Sequence, residues 1–402
     1  MPVEAHAPSE HAWYEGMVRA LRRAGIGEPA IAIDLDRLEA NAAALARAVP
    51  PPRRLRLVQK SLPSLALLRH VAPRMGVHGL MVFHRPFLNH YAAWAPEFDL
   101  LLGKPMPVAA AWTFYERFRP HDDFDPAERL RWLVDTETRL AQYRDLARTR
   151  GLQMTVSIEI DIGLCRGGVR EPAALEPLLA MIAAHPQQLR WGGFMGYDSF
   201  AVQAPPWTTP QRAVDEANAR YRAFIVWSRG RFPQLWHDAL CFNGAGSPTL
   251  TLHGADTPLN DLSAGSALVK PTDFDVPSLA ALQPAALIVT PVLKVQKQLE
   301  IPFISAFSRH AGRWLPGRGQ SVFVYGGRMM ARPVWPPGLR TNPVYGLSSN
   351  QQLMNLPSSV PVAPDDMVLW RPTQSEAVLL QHGDLLGVRQ GEVVARFAVD
   401  QV

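Results

Sequence analysis

The chain has 402 residues, of which 47% are hydrophobic and 19% charged, a composition typical of folded globular proteins. This length suggests two domains, and no apolar run reaches the about 18 residues that a membrane-spanning helix needs. The net charge of +5 is spread along the chain rather than clustered, which argues against a nucleic-acid-binding protein. With only two cysteines and no basic, apolar leader, we expect a cytoplasmic protein without a disulfide framework.

A helical pattern opens the chain, and eight apolar runs, each followed by a helix or turn, come next. These predicted strands are residues 29–36, 55–60, 79–83, 99–103, 130–135, 154–161, 189–196 and 239–243. Eight such units match a parallel barrel, whereas an open doubly wound sheet usually has five or six strands. We therefore predict an α/β fold, a (β/α)8 TIM barrel at 29–275, after a helical extension at 1–28.

The helical pattern stops near residue 275, and short apolar runs separated by proline and glycine follow it. These predicted strands are residues 286–296, 319–325, 367–369, 377–380, 384–389 and 392–398. The sequence therefore predicts an all-β C-terminal domain at 276–402.

Lys60 is the first candidate catalytic residue, because it ends an apolar strand and is one of only five lysines. Active sites of barrels lie at the carboxyl ends of the strands, and a partly desolvated amine there forms Schiff bases. The alternative is a surface lysine whose stem packs along a strand edge. We favour the functional interpretation.

Two turns of small residues follow late in the predicted barrel, at 243–247 and 263–267. Glycine lets the backbone approach an anion closely, and successive N–H groups can bind a phosphate. Ordinary turns are the alternative. Because the chain has neither a dinucleotide fingerprint nor a P-loop, these turns point to a different phosphate-bearing ligand.

Two further candidates, Arg166 and Tyr197, follow the sixth and seventh predicted strands. The arginine could bind an anionic oxygen of a ligand, and the tyrosine could stack on an aromatic cofactor. A structural Arg–Asp pair and simple packing at the barrel mouth are the respective alternatives.

Taken in order, these segments resemble the fold-type III pyridoxal-phosphate enzymes, whose barrel is of the alanine racemase N-terminal kind. Within them the chain is most similar to the D-threonine aldolase and D-serine dehydratase family. The family's TPAxxxDLDxLExN pattern matches residues 28–41, VDxGxxRxG matches 160–168, GYEGH matches 196–200, GGGTG matches 244–247 and GSY matches 265–267. The resemblance covers nearly the whole chain after residue 28.

This resemblance implies pyridoxal 5'-phosphate as the cofactor, with Lys60 as its covalent attachment point. It implies that Arg166 faces the phenolic oxygen of the cofactor and that Tyr197 contacts it. The other cofactor-binding residues would be Asn243, Gly244, Ala245, Gly246, Ser247, Gly265, Ser266 and Ala267. It also implies a homodimer in which the β domain of one subunit covers the barrel mouth of the other.

The chain departs from the family at the substrate end of the site. Metal-dependent members carry a histidine-containing ligand pair in the β domain, whereas Gln374 and Glu376 stand at the matching positions here. Glutamine is a poor ligand for zinc or manganese compared with imidazole. We therefore assign no metal ligand, leave a divalent-metal requirement open, and place Gln374 and Glu376 beside Lys60 as candidate catalytic residues.

The function that the resemblance implies is a lyase acting on a β-hydroxy amino acid, of D configuration, with either retro-aldol cleavage or loss of water. A racemase or epimerase is the alternative, and its second base would be Tyr325 or Tyr345. A protein that binds the cofactor without catalysis is a third possibility. In each case the partner is a small amino acid, and we expect neither nucleic acid nor membrane as a partner.

Overall fold

The structure, a computed structural model, describes residues 9–119, 123–297 and 319–401. Within them the chain forms two compact units. One contains Glu39–Leu268, Phe274–Leu282 and the end of the chain from Asp400, and the other contains the residues up to Leu38, Val269–Asp273 and the described part of Gln283–Val399. Among the described residues, no helix is long and apolar enough to cross a membrane.

The first unit is built on a closed barrel of eight parallel strands, which confirms the predicted TIM barrel. The strands are β2 (Arg54–Val58), β3 (Gly79–Val82), β4 (Asp99–Leu102), β5 (Leu130–Val134), β6 (Met154–Glu159), β7 (Leu189–Met195), β8 (Cys241–Gly244) and β9 (Asp261–Ala264). The barrel closes where β9 pairs with β2, with Leu262 opposite Leu55.

Helices accompany these strands along the chain. They are α2 (Leu35–Ala48), α3 (Leu65–Met75), α4 (Arg85–Trp94), α5 (Val108–Arg117), α6 (Pro126–Arg129), α7 (Glu137–Arg150), α8 (Glu176–Ala184) and α9 (Pro210–Arg231). Their ends follow local chemistry: the hydroxyl of Thr136 caps the start of α7, and Gly151, with φ 64°, ends it in the left-handed conformation.

In the described part of the second unit the strands form a nine-stranded sheet, in agreement with the predicted all-β domain. Its strands are β1 (Ala30–Asp34), β10 (Ala286–Gln296), β11 (Gln320–Tyr325), β12 (Ala331–Trp335), β13 (Arg340–Thr341), β14 (Gln351–Leu356), β15 (Met367–Pro372), β16 (Leu385–Arg389) and β17 (Glu392–Phe397). The predicted strand at 377–380 is wrong, because those residues form a turn.

The first predicted barrel strand was also misplaced, and with it the boundary at residue 29. Strand β1 lies in the sheet of the second unit, antiparallel to β10 and parallel to β16. It is buried on both faces, so its apolar run looks the same as that of a barrel strand. The eighth barrel strand is instead β9, whose sequence Asp-Leu-Ser-Ala has no apolar run to reveal it.

The N-terminal helix α1 (Glu10–Arg23) is part of this second unit rather than a separate extension. Its apolar face, with Trp13, Met17 and Leu21, packs into one core with residues of β1, β10, β15 and β16. The indole N–H of Trp13 donates to a carboxylate oxygen of Asp34 at 2.6 Å, which ties the helix to the end of β1.

Candidate functional site

Lys60 lies just beyond the carboxyl end of β2, in a single turn of 3-10 helix formed by Gln59–Ser61. Its side chain is half-buried, and Nζ lies 4.5 Å from the ring centroid of Phe83. This cation–π contact holds the amine over an aromatic face at the barrel mouth. The structure thus places Lys60 at the end of a strand, as the sequence predicts. Its catalytic role stays a prediction.

Three residues beside Lys60 were missed by the sequence analysis: Phe83 and His84 after β3, and Lys104 after β4. Partial burial and the positive charges of Lys104 and Lys60 lower the pKa of His84. Gly103 makes room for the ring of Phe83, since a Cβ at this position would collide with it. The sequence could have pointed to these residues, because each lies within two residues of the end of an apolar strand.

The two predicted phosphate-binding turns lie side by side at the ends of β8 and β9. The hydroxyl of Ser247, in the first turn (residues 243–247), accepts hydrogen bonds from the N–H groups of Gly265 and Ala267 at 3.1 and 3.0 Å. Residues 245, 247, 266 and 267 are small and buried. The structure therefore brings together two segments that are 18 to 20 residues apart in the chain.

The second turn (residues 265–267) also lies against the segment that carries Lys60. The hydroxyls of Ser61 and Ser266 are 3.0 Å apart. A Cβ on Gly265 would lie 2.7 Å from Cβ of Ser61 and 2.8 Å from that of Val58, so glycine is required for this approach. The segment that carries Lys60 therefore lies directly against the second turn.

A buried polar chain holds the first turn in place. The hydroxyl of Thr249 donates to Oδ1 of Asp198 at 2.6 Å and accepts from the N–H of Gly246 at 3.1 Å. Oδ2 of the same carboxylate lies 2.7 Å from Nε2 of His253. Because Asp198, Thr249 and His253 are all buried, this network fixes the turn firmly, and no motif in the sequence indicates it.

Asn243 differs from the other predicted cofactor-binding residues. Its side-chain amide points into the barrel, where Nδ2 donates to Oδ1 of Asp261 at 2.5 Å and to the hydroxyl of Ser263 at 2.9 Å. The side chain is thus occupied in joining β8 to β9, and any contact with a ligand would come from its backbone.

Arg166 and Tyr197 are close to each other. The guanidinium carbon of Arg166 lies 5.4 Å from the ring centroid of Tyr197. The ring packs on the first turn so closely that a Cβ on Gly246 would be 2.6 Å from it. Tyr197 therefore connects the arginine to the turn at 243–247.

A carboxyl that the sequence analysis did not single out, Glu159, ends strand β6 near Arg166. Burial raises the pKa of Glu159, and the negative charges of Asp135 and Asp161 act in the same direction, while the positive charge of Arg166 opposes them. The Arg166 turn itself is shaped by Asp161, whose Oδ1 accepts from the N–H groups of Gly163 and Cys165 at 3.0 Å each.

Gln374 and Glu376 follow β15 in the second unit, not in the barrel unit. Gln374 is exposed and Glu376 is half-buried. Their role beside Lys60 stays a prediction. Within the described ranges, no group of three His, Cys, Asp or Glu side chains lies close enough together to hold a metal ion.

A model of the alanine racemase N-terminal domain matches residues 33–273. The chain belongs to this family. The match spans more than half of the chain and ends at the second turn and the few residues after it, so the resemblance to fold-type III pyridoxal-phosphate enzymes is confirmed.

Solved structures share the fold over nearly the full length. D-threonine aldolase from Filomicrobium marinum is 19% identical, with 93% of this chain and 97% of that chain covered and a TM-score of 0.70. D-threo-3-hydroxyaspartate dehydratase from Delftia sp. HT23 is 17% identical, with 94% and 98% covered and a TM-score of 0.67. Alanine racemase from Bacillus anthracis is 15% identical, with 93% and 98% covered and a TM-score of 0.68.

These similarities establish the fold. They do not single out one reaction, because the aldolase, the dehydratase and the racemase have similar sequence identities and TM-scores. A search of curated proteins found no match. The choice among the reactions therefore depends on the residues of the site.

Proposed function

We propose that this protein is a pyridoxal-phosphate-dependent lyase acting on a β-hydroxy amino acid of D configuration. It either cleaves the Cα–Cβ bond, giving glycine and an aldehyde, or eliminates the β-hydroxyl as water. The observation that carries the proposal is the contact between Ser61, next to Lys60, and Ser266 in the second turn. A cofactor with an aldehyde at one end and a phosphate at the other needs an amine and an anion-binding turn at one barrel mouth.

The residues present fit this cofactor. The small buried side chains of the two turns leave the backbone accessible to a phosphate group, which residues 244–247 and 265–267 would bind. Arg166 and Tyr197 would contact the ring, and Lys60 would carry the cofactor covalently. When bound, the cofactor withdraws electrons from the α-carbon of the substrate.

The chain's own charges suit an amino-acid substrate. Lys60 and Lys104 make one side of the barrel mouth basic, which attracts the substrate carboxylate. Because its pKa is lowered, His84 is neutral at pH 7 and can donate one hydrogen bond and accept another.

Retro-aldol cleavage needs two proton transfers, whereas loss of water would instead need removal of the α-proton and protonation of the leaving hydroxyl. We assign to Glu376, or to a water bound by Gln374, the removal of the proton from the β-hydroxyl. Lys60 Nζ then returns a proton to the α-carbon. Since the described residues present no metal-ligand cluster, we derive no step through a metal ion.

Racemisation is the second candidate function, and the β unit offers residues for it. Tyr325 and Tyr345 are both exposed, at 44% and 49% of their maximal surface. In a homodimer, which we propose by analogy with the family, a tyrosine of this unit would act on the face of the substrate opposite Lys60.

The first experiment tests the cofactor. We expect the protein incubated with pyridoxal 5'-phosphate to absorb in the visible range, and borohydride to fix the cofactor to the peptide that contains Lys60. The Lys60→Ala variant should lose both signals, whereas Lys294→Ala, which removes an exposed lysine of the β unit, should retain them. A colourless wild-type protein under these conditions would refute the proposal.

The second experiment separates the reactions by their products. D- and L-β-hydroxy amino acids are supplied with and without Mn²⁺, and the mixture is analysed by chiral chromatography. Glycine plus an aldehyde indicates aldol cleavage, an oxo acid plus ammonia indicates dehydration, and the enantiomer alone indicates racemisation. If the protein shows the cofactor absorbance but turns over no substrate, it binds the cofactor without catalysis and the lyase proposal is wrong.

A further inference from the structure

A cavity of about 710 Å³ lies at the amino-terminal end of the barrel strands, opposite the end that carries Lys60. It is lined by the starts of β2, β4, β5, β8 and β9 and by the loops that precede them. All of its lining residues belong to the barrel unit. Cavities of roughly 300–1,000 Å³ are the size at which proteins bind small molecules.

Two carboxylates of this cavity, the buried Asp261 and the half-buried Asp99, are already neutralised. Arg56, which is 2% exposed, donates from Nε and Nη2 to the two oxygens of Asp261 at 2.9 and 2.8 Å. Its Nη1 donates to Oδ1 of Asp99. A cation would therefore have to displace Arg56, which makes the cavity unsuitable for a metal ion.

The remaining charges of the lining are mostly positive. Arg53, Arg54 and Arg131 face a single additional carboxylate, that of Asp238, which is exposed. Nη1 of Arg131 lies 3.8 Å from Oδ2 of Asp99, so the buried group of two arginines and two aspartates is neutral in sum. Arg53 and Arg54 then leave the lining with an excess of positive charge.

Arg131 is also incompletely hydrogen-bonded. Its side chain is only 11% exposed, and within the described residues neither Nε nor Nη1 has a hydrogen-bond partner. A buried guanidinium normally has acceptors for its donors, because leaving them unpaired costs free energy. Both nitrogens are inaccessible to solvent, so a molecule in the cavity would meet the positive charge of Arg131 rather than these two donors.

We propose that this cavity is a second binding site, separate from the candidate active site, for a small organic anion that carries a carboxylate or a phosphate group. Arg53 and Arg54 bind the anionic group, for which the guanidinium fork is well suited, and the nearby positive charge of Arg131 adds to the attraction. The prolines at residues 50–52 and Leu259 provide apolar contacts for the rest of the molecule.

The cavity lies at the amino-terminal face of the barrel, where residues usually serve stability, and not at the carboxyl-terminal face, where active sites lie. A ligand that binds only the folded chain stabilises it, so occupancy raises the temperature of unfolding. This second site is independent of the proposed lyase reaction, because its lining residues lie at the opposite end of the barrel from Lys60.

Calorimetric titration of the cofactor-saturated protein with inorganic phosphate and, separately, with succinate tests the proposal. Saturation with pyridoxal 5'-phosphate keeps free phosphate out of the turns at 243–247 and 265–267. Ionic strength is held constant, because exposed arginines attract any anion weakly at low salt. We expect saturable binding of at least one probe, and which probe binds identifies the anionic group.

The Arg53→Gln/Arg54→Gln double variant should bind that probe at least about tenfold more weakly. Arg212→Gln, which removes an exposed arginine at the start of α9, should bind as the wild type does. Circular dichroism verifies that both variants are folded. Absence of saturable binding by either probe, or equal affinity in the double variant, would overturn the proposal.

Discussion

The hydroxyls of Ser61 and Ser266 lie 3.0 Å apart, although 205 residues separate them in the chain. This contact joins the residue next to Lys60 to the turn after the last barrel strand. It exists because a glycine at 265 allows the two backbones to approach. The cofactor site that we propose thus depends on the closure of the barrel, where the segment after the first strand, β2, meets the segment after the last strand, β9.

Replacing Gly265 by alanine should disrupt this contact, because the new Cβ would lie 2.7 Å from Ser61 and 2.8 Å from Val58. We expect a loss of about 1–3 kcal/mol in the free energy of unfolding and a weaker affinity for pyridoxal 5'-phosphate, measured by absorbance titration. Gly230→Ala is the control, since nothing lies within 4 Å of that position in α9. If Gly265→Ala binds the cofactor as tightly as Gly230→Ala, the turn does not form part of the cofactor site.

Glu159→Gln should stabilise the protein at neutral pH. The pKa of Glu159 is raised in the folded state, so the folded chain holds this proton more tightly than the unfolded chain does. Ionisation of Glu159 therefore costs stability above its unfolded pKa of about 4.3, and glutamine removes that cost. Thermal unfolding at pH 7 should show a higher midpoint for the variant, and the difference should shrink as the pH falls towards 4.3.

Glu171→Gln, an exposed carboxyl near the same turn, serves as the matched control for Glu159 and should leave the midpoint almost unchanged. If Glu159→Gln has a lower midpoint than the wild type at pH 7, the attraction between the Glu159 carboxylate and Arg166 stabilises the protein by more than burial of the carboxylate costs.

The two cysteines should differ sharply in reactivity. Burial, together with the nearby carboxylate of Asp261, raises the pKa of Cys241 to about 12, whereas Cys165 is exposed. Because the thiolate is the reactive form, the native protein should titrate one fast thiol with a disulfide reagent, and the unfolded protein two. The Cys165→Ser variant should show no fast thiol, and a fast thiol remaining there would contradict the buried position of Cys241.

Arg56→Met should destabilise the barrel by about 3–5 kcal/mol, because it leaves the buried Asp261 without its positive partner and Asp99 with only the more distant Arg131. Arg69→Met is the comparison, since it breaks an exposed pair with Glu97 and should have little effect. Urea unfolding of both variants measures the difference. Similar midpoints would show that the buried network relaxes or admits water.

Glu376→Gln tests the assignment of the base in the lyase reaction. We expect turnover to fall at least about a hundredfold while the visible absorbance of the cofactor is retained. The measurement is steady-state kinetics on whichever β-hydroxy amino acid the substrate screen identifies. Unchanged turnover would transfer this role to another group.

The barrel was predictable because periodic apolar runs identify buried strands wherever they occur. The pattern could not reveal the sheet to which a strand belongs, since β1 is buried on both faces in the same way as a barrel strand. Strand β9 was missed as a strand because its polar residues serve the barrel interior, where Asp261 pairs with Arg56 and Ser263 accepts from Asn243.

In the candidate site, residue order pointed to Lys60, Arg166 and the two turns. The supporting groups were invisible in the sequence, because Asp198, Thr249 and His253 become a network only when distant loops are packed together. His84 and Lys104 were missed for a simpler reason: a single basic residue after a strand carries no motif.

The pairing of β1 with β10 and β16 has a consequence for synthesis. On the ribosome, residues 30–34 emerge early, but both strands that flank them appear only after residue 285. The barrel segment between them can therefore complete its fold while the first strand still waits for its neighbours. A chain stalled before residue 286 would expose this apolar strand, and so the interval between the synthesis of residue 34 and that of residue 286 is when the strand most needs protection by a chaperone.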